Sequence, residues 1–162
     1  MVNLSWRTAI RRNAPSAPLQ FLIGVLCISK SQQILDFGCG QGDDIEYLKS
    51  NGYTAYGYDP FFQPVGYNIK FDVVLCTYVL NVLERMYHKR VLLDILDYLS
   101  PSGTAYVTVR RDIKTEGYRK HWGTYQCNVI LNNFPIVWEN KKFCIYTFDA
   151  NSRVLIEQLY DC

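Results

Sequence analysis

The chain has 162 residues, 49% of them hydrophobic and 20% charged, with a formal net charge of +2. A single domain of that size buries roughly 70% of its unfolded surface, so a packed core is expected and wholesale disorder is not. A charge this close to balance argues against a strong nucleic-acid clamp or an acidic solvating tail, although a local patch is compatible with it.

Residues 1–18 are polar and basic, with Arg7, Arg11 and Arg12 ahead of the breakers Pro15 and Pro18, and read as an arm or short helix. Leu19 to Ile28 is an apolar run expected to form a helix, too short to span a bilayer. Gln33 to Phe37 reads as a strand running into Gly38-Cys39-Gly40-Gln41-Gly42. Asp43 and Asp44 open a helix, where acidic residues suit the positive end of its dipole, and Asn51-Gly52 closes it. Tyr53 to Tyr58 is a second strand ending at Asp59-Pro60, and Phe61 to Lys70 reads as loop. Phe71 to Thr77 is apolar on both faces, as a central parallel strand is. Val91, Leu92, Ile95, Leu96 and Leu99 recur at helical spacing. Ser100-Pro101-Ser102-Gly103 reads as a tight turn before a fourth strand, Thr104 to Val109, with a polar, basic loop over Arg110 to Gln126. Phe134 to Trp138 and Phe143 to Phe148 flank Glu139-Asn140-Lys141 as an antiparallel hairpin.

The cysteines, Cys27, Cys39, Cys76, Cys127, Cys144 and Cys162, form no CxxC pair, and His88 and His121 lie far apart. No metal site is therefore expected. Scattered thiols without a charged-then-apolar leader point to the reducing cytoplasm.

Strand, helix, strand followed by strand, helix, strand is a parallel α/β pattern of the Rossmann-like kind, with ligands bound at the carboxyl ends of strands. Glycines in Gly38 to Gly42 permit a tight turn and close approach of a ligand to the backbone. A dinucleotide fingerprint needs glycine at position 43, where this chain has Asp43, a carboxylate that would repel a pyrophosphate. A phosphate-binding loop fails because no Gly-Lys-Ser/Thr follows. Asp36-x-Gly-x-Gly-x-Gly suits S-adenosylmethionine, which lacks phosphate and carries a cationic amine and sulfonium. Asp59, 19 residues after Gly40, ends the next strand where ribose hydroxyls need an acceptor.

Ile34 to Gly42 resembles motif I of class I S-adenosylmethionine-dependent methyltransferases. Phe71 to Cys76 resembles their fourth strand, and Ser100-Pro101-Ser102-Gly103-Thr104 the turn into their fifth. Gly57-Tyr58-Asp59-Pro60 and Tyr78 to Glu84 are also similar to small bacterial and phage methyltransferase-like proteins, including a group associated with DNA phosphorothioation. The resemblance implies that Asp36, Gly38, Cys39 and Gly40 lie along the methionine part of the cofactor. It likewise implies Asp59 at the ribose, and Cys76 and Thr77 presenting backbone to the amine or sulfonium. Only eleven residues separate Asp59 from Phe71, too few for the family's usual helix and third strand. The fold is thus expected to be shortened there and to lack the acid that contacts adenine, leaving Pro60, Phe61 or Phe62 to pack on the base. One domain is expected over 1–162, with an arm and helix in 1–30, a cofactor-binding core in 32–111, and a basic loop with C-terminal strands in 112–162.

Methyl transfer from a sulfonium is an in-line displacement in which the protein aligns the acceptor and excludes water. Tyr78, Asn81 and Arg111 are the candidates for that work, with Arg110 and Asp112 beside them. The chain lacks the tetrapeptide of amino-group DNA methyltransferases and the Pro-Cys pair of cytosine C5 enzymes. The basic stretches, with Tyr118, Trp122 and Tyr125 among them and Arg11 and Arg12 expected near the same rim, point to an anionic acceptor, with DNA or RNA ahead of a small metabolite. A binding module that holds S-adenosylmethionine without turnover, and a small-molecule methyltransferase, remain as alternatives.

Overall fold

The computed structural model describes residues 3–25 and 28–160. Its helices are α1 (Ala17–Val25), α2 (Asp43–Ser50), α3 (Arg85–Tyr98) and α4 (Arg153–Glu157). Its strands are β1 (Gln33–Phe37), β2 (Thr54–Tyr58), β3 (Phe71–Thr77), β4 (Leu99–Arg110), β5 (Gly117–Arg119), β6 (Thr124–Gln126), β7 (Ile136–Glu139) and β8 (Phe143–Asp149). The main sheet runs β2-β1-β3-β4-β8-β7, and β5 pairs with β6 separately. Its first four strands are parallel, whereas β8 and β7 run antiparallel. This is the mixed, mostly parallel sheet that the alternation of elements predicts.

Alternation along the strands makes two apolar layers. Leu35, Val74, Cys76 and Val107 pack with Leu92, Ile95 and Leu96 of α3. Ile34, Val73, Leu75 and Ile145 pack with Leu19 and Leu22 of α1 and Ile45 and Leu48 of α2. The central strands are buried on both faces, so all their backbone groups must find partners in the ladder, and their carboxyl ends all open at one edge.

Four local expectations change. The first helix starts at Ala17, with Pro18 in its first turn, where a missing N–H is tolerated. It is described only to Val25; of the rest of the expected run, Leu26 and Cys27 lie outside the described residues and Ile28 is not helical. Ser100 to Gly103 is a bulged opening of β4 rather than a turn, the pairing with β3 shifting between Phe71 and Val73. A Cβ at Gly103 would sit 2.7 Å from the Phe71 carbonyl oxygen, so only glycine fits that approach. The polar stretch after Arg110 contains the β5–β6 hairpin, and α4 follows β8; neither short element has enough periodicity to read from sequence. The chain passes from β2 to β3 without a helix, as the short spacing requires. A two-residue bridge, Asp59 with Gln63, organises that loop instead.

Candidate active site

The turn after β1 is built from backbone. The Gly38 and Cys39 amides both donate to the Tyr58 carbonyl, at 2.7 and 3.1 Å, fastening the turn to the end of β2. Gly38 has φ +80°, and a Cβ there would lie 2.3 Å from Val79 Cγ2. Gly38→Ala therefore combines left-handed strain with overpacking and should cost about 1–3 kcal/mol of stability. Urea unfolding checks this, and a loss below about 0.5 kcal/mol would mean the turn is not constrained as described.

Asp59 lies beside the turn on the same rim. Its Oδ2 accepts from the Gly40 amide at 3.1 Å, and its Oδ1 from the amides of Phe61 and Phe62 at 2.9 and 3.0 Å. One carboxylate thus ties the glycine turn to the loop that replaces the missing helix. Both line a cavity of about 750 Å³, within the range of about 300–1,000 Å³ common for small-molecule sites.

Of the residues expected at a site, Gly38, Cys39, Gly40, Asp59, Pro60, Thr77, Tyr78 and Asn81 line this cavity. Asp36, Cys76 and Arg111 do not. Arg111 is displaced by strand alternation: Arg110 faces the cavity, while its successor turns to the other layer. There Arg111 donates to the Val129 carbonyl at 3.2 Å and the Tyr146 hydroxyl at 2.8 Å. Cys76 is 1% exposed in the α3-side core, and burial holds its thiol well above the usual range. The Cys39 thiol is pushed up to about 12, first by burial and then by Asp36. Neither sulfur is a nucleophile at neutral pH. Asp36 is buried under the turn, and burial, reinforced by Asp44, pushes its carboxyl up to about 8.

Tyr78 has φ +64°, an uncommon backbone for a side chain of its size, with its amide donating to the Thr108 carbonyl at 2.8 Å. Burial raises its phenol, partly offset by Arg110 and Arg12. Asn81 is fully buried. Its Oδ1 accepts from the Arg110 amide at 2.7 Å, and its Nδ2 donates to the Cys127 carbonyl at 2.9 Å. Asn81 therefore clamps the end of β4 to the segment after β6 and caps no helix, since Glu84 stands at the start of α3.

The cover of the cavity is the N-terminal arm, of which sequence reasoning expected only Arg11 and Arg12 near the rim. Trp6, Ala9 and Arg12 line the cavity. Trp6 stacks on Phe61 with ring centroids 4.3 Å apart and planes 5° from parallel. Asp43 accepts from Arg11 Nη1 at 3.0 Å and from the Arg12 amide at 2.7 Å, while Asp44 takes the amide and hydroxyl of Ser16 at 2.7 and 2.6 Å. The acidic start of α2 thus serves as the arm's anchor. The readable signal was the match of two adjacent arginines to two adjacent aspartates. Arg12 Nε is buried without a hydrogen-bond partner.

Much of the basic stretch is paired within the protein. Arg110 Nε bonds Asp112 at 2.8 Å, Arg85 bonds Glu116 at 3.0 Å, and Arg119 donates to the Thr115 carbonyl at 2.7 Å. Tyr118 donates to Glu84 at 2.6 Å and packs edge-on against Tyr125. Among the described residues no group of three or more potential ligands is placed to hold a metal ion. No helix among them is long and apolar enough to cross a membrane.

Residues 6–137 match the family model described as a methyltransferase domain. No protein of curated function matches the sequence. Among solved structures, the fold is similar to a 1,6-didemethyltoxoflavin-N1-methyltransferase of Burkholderia thailandensis, with bound 1,6-didemethyltoxoflavin and S-adenosylhomocysteine. The TM-score is 0.62 at 16% identity, over 81% of this chain and 76% of that one. It is also similar to the magnesium protoporphyrin IX methyltransferase of Synechocystis with bound S-adenosylhomocysteine, with TM-score 0.57 at 14% identity, over 88% and 91% of the two chains. A TehB-like methyltransferase of Corynebacterium glutamicum gives TM-score 0.56 at 18% identity, over 89% and 93%.

Proposed function

The chain belongs to the methyltransferase-domain family, and on that premise we propose that it transfers a methyl group from S-adenosylmethionine held in the cavity that the glycine turn and Asp59 line. The observation that supports this reading is the 3.1 Å bond from the Gly40 amide to Asp59, which brings the two residues expected at the cofactor side by side. When bound, the cofactor supplies an electrophilic methyl on a good leaving group.

The protein's part is to hold and orient. Gly38, Cys39 and Gly40 offer backbone to the methionine portion, and Thr77 at the end of β3 faces its amine. Arg12, with Nε unpartnered at the cavity wall, is the fitting donor for its carboxylate. Asp59 serves the ribose, and Pro60 with Phe61 packs on adenine in place of the acid the shortened fold lacks. Tyr78 and Arg110 line the end left for the acceptor, and Asn81 positions that end through the Arg110 amide. Because the arm covers the mouth, the acceptor enters as a small molecule or a single unpaired base rather than as an intact duplex. The toxoflavin and porphyrin enzymes act on compounds of the first kind, while exposed Lys120, His121 and Trp122 support the second.

Titration calorimetry with S-adenosylhomocysteine should show micromolar binding, about −8 kcal/mol. Absent binding, with a nicotinamide dinucleotide bound instead, would overturn the assignment. Transfer of labelled methyl into material of a bacterial extract separates an enzyme from a module that only binds the cofactor.

A further inference from the structure

The arm has a second side. Outside it lies a groove of about 450 Å³ lined by Trp6, Arg7, Ala9, Gln41, Phe62 and Trp122. Three of those six residues are aromatic and none is acidic. Trp6, Ala9 and Gln41 also line the inner cavity, so the arm is the wall between the two spaces.

The groove is built on fixed backbone. Trp122 is 66% exposed, yet its backbone is fixed: its amide donates to the Arg119 carbonyl at 3.1 Å, and its carbonyl accepts from Arg7 Nη1 at 3.3 Å. The neighbouring Leu4 amide donates to the Gly123 carbonyl at 2.9 Å, which ties the arm to the tip of the β5–β6 hairpin. Trp6 is backed by Phe61, and the Arg7 guanidinium lies over the Trp6 ring, 5.3 Å from its centroid. Arg7 has five N–H groups, so donors remain after the bond to Trp122. Lys120 and His121, both exposed, precede Trp122 on the same hairpin tip. An exposed indole on a fixed backbone, beside cations whose own protein partners do not neutralise them, suits a planar ring that carries an anion. A greasy protein surface would have no use for the arginine, and a cationic ligand would be repelled by it.

We propose that this groove binds a nucleobase together with its phosphate, the base stacking on Trp122 and the phosphate meeting Arg7 and Lys120. The chemistry is shared by a free nucleotide and by an unpaired stretch of nucleic acid. The groove lies one wall away from the cofactor cavity, so the stacked base is itself out of reach of the methyl and serves to dock an acceptor, a purpose that rests on the reading proposed above. The binding itself does not require the cofactor.

The test is fluorescence anisotropy with a labelled octadeoxyadenylate at low salt, with adenosine monophosphate and a duplex of equal length as competitors. Binding should fall steeply as salt rises, and Trp122→Ala should weaken it about tenfold or more, with Arg7→Gln reducing the salt slope. Trp122 is exposed, so the variant's unfolding midpoint and its S-adenosylhomocysteine affinity should match wild type. Monophosphate competing as well as the strand would identify a free nucleotide as the occupant, and a much tighter strand would identify nucleic acid. Absent binding, an unchanged Trp122→Ala variant, or a duplex that competes as well as the single strand would each overturn the proposal. Loss of S-adenosylhomocysteine binding with oligonucleotide binding intact would instead defeat the cofactor reading and leave this site standing.

Discussion

Asp59→Ala should weaken S-adenosylhomocysteine binding by about 1.5–3 kcal/mol, roughly ten- to 150-fold. The size of the effect comes from two losses at once. A carboxylate offers about four lone-pair sites, and three N–H groups, from Gly40, Phe61 and Phe62, already occupy it. That leaves about one site for a ribose hydroxyl, fewer than a carboxylate free of protein partners would offer. The alanine variant removes this acceptor and also unfastens the glycine turn from the loop after β2. Asp59→Asn separates the two contributions. Its amide oxygen can still accept on one side, but its NH₂ opposes a backbone N–H on the other, so its affinity should fall between wild type and alanine. Calorimetry on the three proteins checks the order. Wild-type affinity in Asp59→Ala would mean the ribose is held elsewhere.

The strand ends were legible because parallel strands buried on both faces are written as apolar runs, and because left-handed turns call for glycine. Val73-Val74-Leu75-Cys76 and Gly38 to Gly42 carry those signals within a few residues. The sheet order follows from short connections and handedness once the runs are found. Strand alternation at the end of β4 was not legible at single-residue precision. The boundary of β4 decides whether Arg110 or Arg111 faces the cavity, and boundaries are the least reliable part of such a reading. The arm was legible as an arm, with Arg11 and Arg12 near the rim, but its docking over the cavity was not, for a different reason. Its docking depends on contacts between residues far apart in sequence, such as Arg12 with Asp44 at 3.5 Å and Trp6 with Phe61, and no local period encodes them. Asp43 illustrates the limit. Its charge correctly spoke against a pyrophosphate, yet its partners are Arg11 and the Arg12 amide, so its structural role is to anchor the arm.

Asp36 gives the molecule a pH dependence whose sign is fixed. Its carboxyl is raised from 3.8 to about 8, first because burial penalises the charge and then because Asp44 repels it, with Arg12 acting in the opposite direction. In the unfolded chain it titrates near 4, so between pH 4 and pH 8 the folded state holds a proton that the unfolded state has released. Stability from this group is fully present below about pH 4 and is lost as pH rises through about 8. Asp36→Asn mimics the neutral form. It should match wild type near pH 4, then become progressively more stable than wild type up to pH 9, by several degrees in unfolding midpoint for a chain of this size. The same charge bears on the cofactor reading. A cationic amine seated above the turn favours ionised Asp36, so binding should expel its proton. S-adenosylhomocysteine affinity should then rise several-fold between pH 6.5 and pH 9 in wild type, and stay flat in Asp36→Asn. Because the difference between the two proteins is compared at each pH, titration of other groups cancels. Parallel curves for the two proteins, in stability and in affinity alike, would show that Asp36 is ionised throughout and that its burial is matched by a partner.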